Sequence, residues 1–329
     1  MNHTRVNIWG EGEYTYEAAY GFVPNIRTYI HDDDTIRDCV LVVPGGGYCM
    51  VVPPEAEIVA KEFYNQGMNA FVLTYTTDIT FSVPLKKQPL NDISRAVRII
   101  RSRAAKWKIN PDKVVVCGFS AGAHVCGTLC VHYEDVVDMD EKLNCFSNRP
   151  DAAILSYPVI TSGEFTHRLS MIALMGNDAS REEYDYFSIE KNVDSNTPPC
   201  FLWQTATDDL VPVENSYLMA NALKSAGVRY AHYVFPEGHH GLSVSTEDFY
   251  RGIFGEEYTF EQLKNAVNSV RDGKGIKVSK QRTDEIMEQF FGPDTTWFKN
   301  QPVKDDVDVN PYPDVRLWPE LARTWLAKI

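Results

Sequence analysis

A chain of 329 residues, 44% hydrophobic and 23% charged, is long enough to bury a large core as one α/β domain or two smaller ones. Its net charge of −13 has no basic stripe to offset it, which argues against nucleic acid or an anionic membrane as partner and favours neutral or cationic substrates. No window approaches a membrane span, and seven scattered cysteines without a C-x-x-C pair or clustered ligands read as reduced thiols with no metal site.

The first residues, Met1 to Trp9, contain neither an apolar stretch nor a small-residue cleavage site, so a cytoplasmic protein is expected. Val6 to Trp9 and Phe22 to Ile30 are short alternating runs, with Asp32-Asp33-Asp34 as a turn, and resemble an antiparallel entry to a sheet. Cys39 to Val43 is a continuous apolar run of the kind buried on both faces. It ends in Pro44-Gly45-Gly46-Gly47-Tyr48, where three glycines let backbone go where a Cβ cannot. A helix follows from Pro53-Pro54-Glu55, with apolar Ile58, Val59 and Phe63, and Gly67 closes it.

Ala70 to Tyr75 is the next buried strand. Ile93, Ala96, Val97 and Ile100 mark an amphipathic helix, with Arg95, Arg98 and Arg101 read as its solvated side. Asn110-Pro111-Asp112 turns the chain into Val114 to Cys117, a strand that stops at Gly118. Ala152 to Tyr157 is a strand, and the stretch to about Thr197 reads as loop-rich. Cys200 to Thr205 is a strand ending at Asp208-Asp209-Leu210-Val211-Pro212, then a helix closed by Gly227, then a last strand, Tyr230 to Phe235. Strands alternating with helices over 39 to 241 predict one mostly parallel sheet with helices on both faces. Residues 246 to 309 are charge-rich with helical patches at 260–270 and 283–291, and the end of the chain from Asn310 reads as a packed helix.

The chemistry concentrates at Gly118-Phe119-Ser120-Ala121-Gly122. A serine on a tight strand-to-helix turn is exposed as a nucleophile, and the new helix aims its free N–H groups at any oxyanion formed beside it. The bare five-residue pattern is common. Its context is more telling: a glycine loop upstream, then an acid and a histidine downstream in that order. Ser120 is the expected nucleophile, with Asp208 orienting His240 as its base. Asp209 and His239 are the immediate competitors. The amides of Ala121, Gly46 and Gly47 are the expected oxyanion donors. His124, one helical turn past the serine, reads as a packing residue. Tyr48, Tyr157 and Trp203 are candidates to line the substrate pocket, although aromatics at strand ends more often pack the core.

These motifs resemble the α/β-hydrolase fold, in particular bacterial esterases similar to acetyl xylan esterases and the hormone-sensitive-lipase-like group. The likeness covers about residues 36 to 245 and 310 to 329. It rests on the glycine loop, the serine elbow, Asp208 to Pro212, and His240-Gly241. The lipase-like group usually has histidine where this chain has Pro44, which is closer to the sugar-esterase branch. Glu55 matches a glutamate common in that branch; its plain role is helix-terminus charge. The resemblance implies an α/β fold with a mostly parallel eight-stranded sheet in a single domain spanning 1–329, and it places His240 rather than His239 in the triad. Residues 246–309 then form an insertion before the final helix, serving as a lid, a subunit contact or surface decoration. The implied activity is cofactor-free hydrolysis of short-chain carboxylic esters, such as acetyl groups on xylose-containing oligosaccharides. An amide or peptide hydrolase with the same triad and a non-catalytic binding protein are the alternatives. Self-association is left open.

Overall fold

The computed structural model describes residues 3–299 and 302–329. Eight strands form one sheet: β1 (Arg5–Asn7), β2 (Asn25–Tyr29), β3 (Arg37–Val43), β4 (Asn69–Thr74), β5 (Ile109–Phe119), β6 (Ala152–Ser156), β7 (Cys200–Thr205) and β8 (Tyr230–Phe235). Their spatial order is β1-β2-β4-β3-β5-β6-β7-β8. The first two strands are antiparallel to their neighbours and the remaining ladders are parallel. The sheet is therefore mixed, with the expected antiparallel entry and a parallel body.

Alternation along the central strands explains why they read as unbroken apolar runs. Cys39, Leu41 and Val43 face one core, while Val40 and Val42 face another on the opposite side. Both faces are covered, so neither set can be polar. The helices are α1 (Glu57–Asn65), α2 (Gln88–Ser102), α3 (Ala104–Trp107), α4 (Ala121–His132), α5 (Glu141–Asn144), α6 (Arg168–Met175), α7 (Arg181–Tyr186), α8 (Glu214–Ser225), α9 (Glu247–Arg251), α10 (Glu261–Arg271), α11 (Lys280–Phe291) and α12 (Trp318–Leu326). Helices α1 and α12 pack on one face; α2, α4, α8, α10 and α11 pack on the other. None of the helices among the described residues is long and apolar enough to cross a membrane.

Two expectations are corrected. The arginines of α2 are not solvated: Arg95 and Arg98 are buried. Arg95 pairs with Glu13 at 2.6 Å and with Asp138 at 3.3 Å, and lies over the Trp9 ring. Arg98 donates to the carbonyl of Val136 at 3.0 Å. The chain near residues 9–13 and the segment 136–148 wrap the outer side of α2, a second layer that helical periodicity does not report. The Asn110-Pro111-Asp112 turn lies inside β5, at a register shift in the β3–β5 ladder where Pro111 has no amide to offer. The loop-rich stretch 158–197 also holds the short helices α6 and α7.

The segment 246–309 contributes to the main core. Leu263, Ala266 and Val267 of α10, with Ile286 and Phe290 of α11, join the cluster that includes α2 and α4. Gln262 accepts the Thr77 N–H at 2.8 Å, and Arg282 donates to the Ile79 carbonyl at 2.7 Å. These bonds fix α10 and α11 beside the loop that follows β4.

Candidate active site

The parallel strands end at one rim of the sheet, and the connections leaving β3, β5, β7 and β8 meet there. Ser120 follows the last residue of β5 and holds φ +52°, ψ −119°, outside the regions open to most residues. That turn needs Gly122, because a Cβ there would sit 2.0 Å from the Val43 carbonyl oxygen at the end of β3. The Ala121 N–H lies in the first turn of α4, among the donors a helix leaves unused.

His240 follows β8, and its Nε2 lies 2.9 Å from the Ser120 hydroxyl. Its Nδ1 lies 2.8 Å and 3.0 Å from the two Asp208 carboxylate oxygens. The Asp208 side chain has no solvent-exposed area, and its Oδ1 also accepts the N–H groups of Leu210 and Val211 at 3.0 and 2.9 Å. The acid loop is tied to the histidine loop through Thr205 and Thr207, whose hydroxyls donate to the Gly238 carbonyl at 2.9 and 3.1 Å.

The competitors are placed elsewhere. His239 is turned outward, with its Nδ1 2.7 Å from the His240 carbonyl and its ring near Tyr312. Asp209 accepts the His240 backbone N–H at 2.9 Å, and that bond holds its carboxyl below the usual range. Asp209 therefore steadies the loop, while Asp208 meets the imidazole.

Gly46 and Gly47 line the same cavity as Ser120 and His240. Gly46 holds φ +124°, and a Cβ there would approach the Met50 carbonyl oxygen to 2.3 Å. Tyr48 does not line the cavity. The turn at Gly46-Gly47, and its own φ of +62°, send its ring into the core, where the hydroxyl donates to His124 Nδ1 at 2.7 Å. His124 Nε2 in turn donates to the Phe187 carbonyl at 2.9 Å, so this buried imidazole is a packing group with both nitrogens occupied. Tyr157 is also buried, but its ring meets the His240 imidazole edge-on at 4.9 Å. Trp203 is core: it stacks on Trp318 at 5.3 Å.

The cavity has a volume of about 510 Å³. Met50, Phe81, Leu169 and Leu210 give it apolar walls, and His167, Arg282 and Gln289 add polar groups that the sequence alone does not single out. His167 sits just before α6, in the loop-rich stretch, with its Nδ1 2.7 Å from Ser170 Oγ. Burial, reinforced by the nearby His240, pushes its pKa down. Arg282 and Gln289 come from α11. Nothing in the local sequence of that helix points toward a serine so far upstream.

This sheet, with the strained serine, imidazole and carboxylate at its rim, is the α/β-hydrolase fold. More narrowly, the chain belongs to the BD-FAE family, whose model matches residues 29–223. A protein of Butyrivibrio fibrisolvens named endo-1,4-beta-xylanase B is 59% identical over 80% of this chain and 41% of its own length. An acetylxylan esterase of Xylanibacter ruminicola is 27% identical over 85% of this chain and 60% of its own. The chain thus spans less than two thirds of the length of these two curated relatives. Among solved structures, an acetyl ester-xyloside bifunctional hydrolase from Caldicellulosiruptor lactoaceticus is 33% identical, with a TM-score of 0.70 over 82% of this chain and 96% of that one.

Proposed function

We propose that the chain is a serine carboxylesterase that cleaves short-chain esters through an acyl-enzyme, with acetyl groups on xylo-oligosaccharides or other acetylated sugars as its substrates. The observation that carries this is the chain of contacts from the Ser120 hydroxyl through His240 to Asp208, at 2.9 and 2.8 Å. In this reading, His240 Nε2 takes the Ser120 proton as the oxygen attacks the ester carbonyl. Asp208 accepts from Nδ1–H, which fixes the tautomer and stabilises the imidazolium. The amides of Ala121, Gly46 and Gly47 receive the developing oxyanion. Collapse of the tetrahedral intermediate expels the alcohol, protonated by His240. Water, deprotonated by the same imidazole, then releases the acid and restores the serine.

The sugar ester is supported by the names of the relatives, which include an acetylxylan esterase and an acetyl ester-xyloside hydrolase. The cavity, with His167, Arg282 and Gln289 set among apolar walls, suits an alcohol rich in hydroxyls. Turnover of p-nitrophenyl acetate by wild type and Ser120→Ala tests the mechanism. Loss of roughly 10⁶-fold in kcat is expected, and retained turnover would remove the acyl-enzyme. Acetylated xylo-oligosaccharides assayed beside simple acetates and aryl amides test the substrate class; a preference for the amides would replace it.

A further inference from the structure

Beneath the site lies a carboxylate that takes no part in the relay. Glu55 is 4% exposed, and among the described residues it forms no ion pair with a lysine or arginine. Burial pushes its pKa up, against the pull of two hydrogen-bond donors and of His240. A buried charge without a cationic partner costs stability, so its contacts are informative.

Both oxygens are engaged. Oε2 accepts the Gly45 N–H at 2.6 Å, and Oε1 accepts the Tyr157 hydroxyl at 2.8 Å. Gly45 opens the glycine loop that carries Gly46 and Gly47. The Tyr157 oxygen also accepts the Ser243 N–H at 3.1 Å, three residues past His240, while its ring packs against the His240 imidazole. Ser243 returns to the short 3-10 helix Pro53–Glu55 that carries Glu55: its hydroxyl donates to the Pro54 carbonyl at 2.6 Å. One carboxylate thus joins the loop leaving β3 to the loop leaving β8, and Ser120 stands between them.

We propose that Glu55 is a positioning residue that fixes the glycine loop and the histidine loop relative to one another, so that the Gly46 and Gly47 amides and the His240 imidazole converge on Ser120. This rests on the acyl-enzyme reading above. No proton moves through Glu55 in any step. Its effect is on geometry: oxyanion donors are useful only within a few tenths of an ångström of where the charge develops. The carboxylate is suited to the task because both partners are donors. A glutamine oxygen can still accept from Gly45, but its NH₂ group then faces the Tyr157 hydroxyl, and the link to the histidine loop is weakened. Alanine removes both links.

The test measures kcat and KM on p-nitrophenyl acetate, inhibition by phenylboronic acid, and thermal midpoints. It uses wild type, Ser120→Ala, Glu55→Gln, Glu55→Ala and Tyr157→Phe. Boronic acids add to an active serine as tetrahedral mimics of the oxyanion intermediate. Glu55→Gln should melt at or above wild type, since it removes a buried charge. Its kcat should nevertheless fall roughly 10- to 100-fold, with KM within about 3-fold. Phenylboronic acid affinity should fall in step with kcat/KM. Glu55→Ala should lose more, with the glutamine variant a partial rescue, and Tyr157→Phe should lie between wild type and Glu55→Gln. Wild-type kcat in Glu55→Gln, or a loss of kcat with unchanged boronic acid affinity, overturns the proposal. If Glu55→Ala does not fold, Glu55→Gln and Tyr157→Phe decide the question by the same measurements. Failure of the underlying mechanism is read separately, from turnover by Ser120→Ala.

Discussion

His239 and His240 are the same residue type in adjacent positions, and only their surroundings separate them. The backbone N–H of His240 is held by Asp209, its Nδ1 by Asp208, and its ring by the edge of Tyr157, whereas His239 is exposed. Under the proposed mechanism His240→Ala should lower kcat on p-nitrophenyl acetate by about 10⁴-fold or more, and His239→Ala by less than about 3-fold. Equal losses would mean that the loop rearranges and that this geometry is not the working one. The resemblance singles out Asp208 and His240 by the motifs around them, Asp208 to Pro212 and His240-Gly241, and the structure sets the His240 Nδ1 beside the Asp208 carboxylate. Tyr48 was not legible in that way. An aromatic after a glycine loop can point to the cavity or to the core, and the sign of φ at residues 46 to 48 decides between them. Glu55 was visible only as helix-terminus charge, since its partners Gly45 and Tyr157 come from other elements.

At the scale of elements, the parallel strands were readable because burial on both faces removes polar residues from them. Helices α10 and α11 were readable as helical patches at 260–270 and 283–291, but their destination was not, because no local pattern encodes which rim a helix joins. The structure supplies it: Arg282 of α11 donates from Nε and Nη2 to the Ile79 carbonyl at 2.9 and 2.7 Å and lies over the Phe81 ring at 4.6 Å. Ile79, Phe81 and Arg282 all line the cavity, so this contact sets the distance between two of its walls. We predict that Arg282→Ala widens the cavity between these walls and leaves room for a longer acyl chain. The ratio of kcat/KM for p-nitrophenyl hexanoate to that for the acetate should rise about 5-fold, within what a few methylenes are worth in an apolar pocket. An unchanged ratio would show that α11 only covers the core.

For the molecule as a whole, the buried titratable groups set how it tolerates acid, and they work in opposite directions. Burial holds the carboxyls of Glu55, Asp78 and Asp92 above their ordinary range, so their ionised forms cost stability near neutral pH and protonation relieves that cost. His124 acts the other way. Burial lowers its pKa from 6.5 to about 4, so the fold keeps it neutral while the unfolded chain takes up a proton. Above pH 6.5 neither state is charged at this position and it contributes no pH dependence. As the pH falls from 6.5 toward 4, unfolding binds the proton first, and stability drops by up to roughly 3 kcal/mol. The other groups are common to wild type and a His124→Gln variant, so the difference between the two isolates this one. From about pH 7.5 to about pH 4.5 the denaturant midpoint should move further downward in wild type than in the variant, and equal shifts would show that the imidazole is free to charge. The consequence reaches the site, because the Nδ1 that must stay unprotonated is the acceptor for Tyr48, and Tyr48 anchors the end of the glycine loop to α4, the helix that follows Ser120.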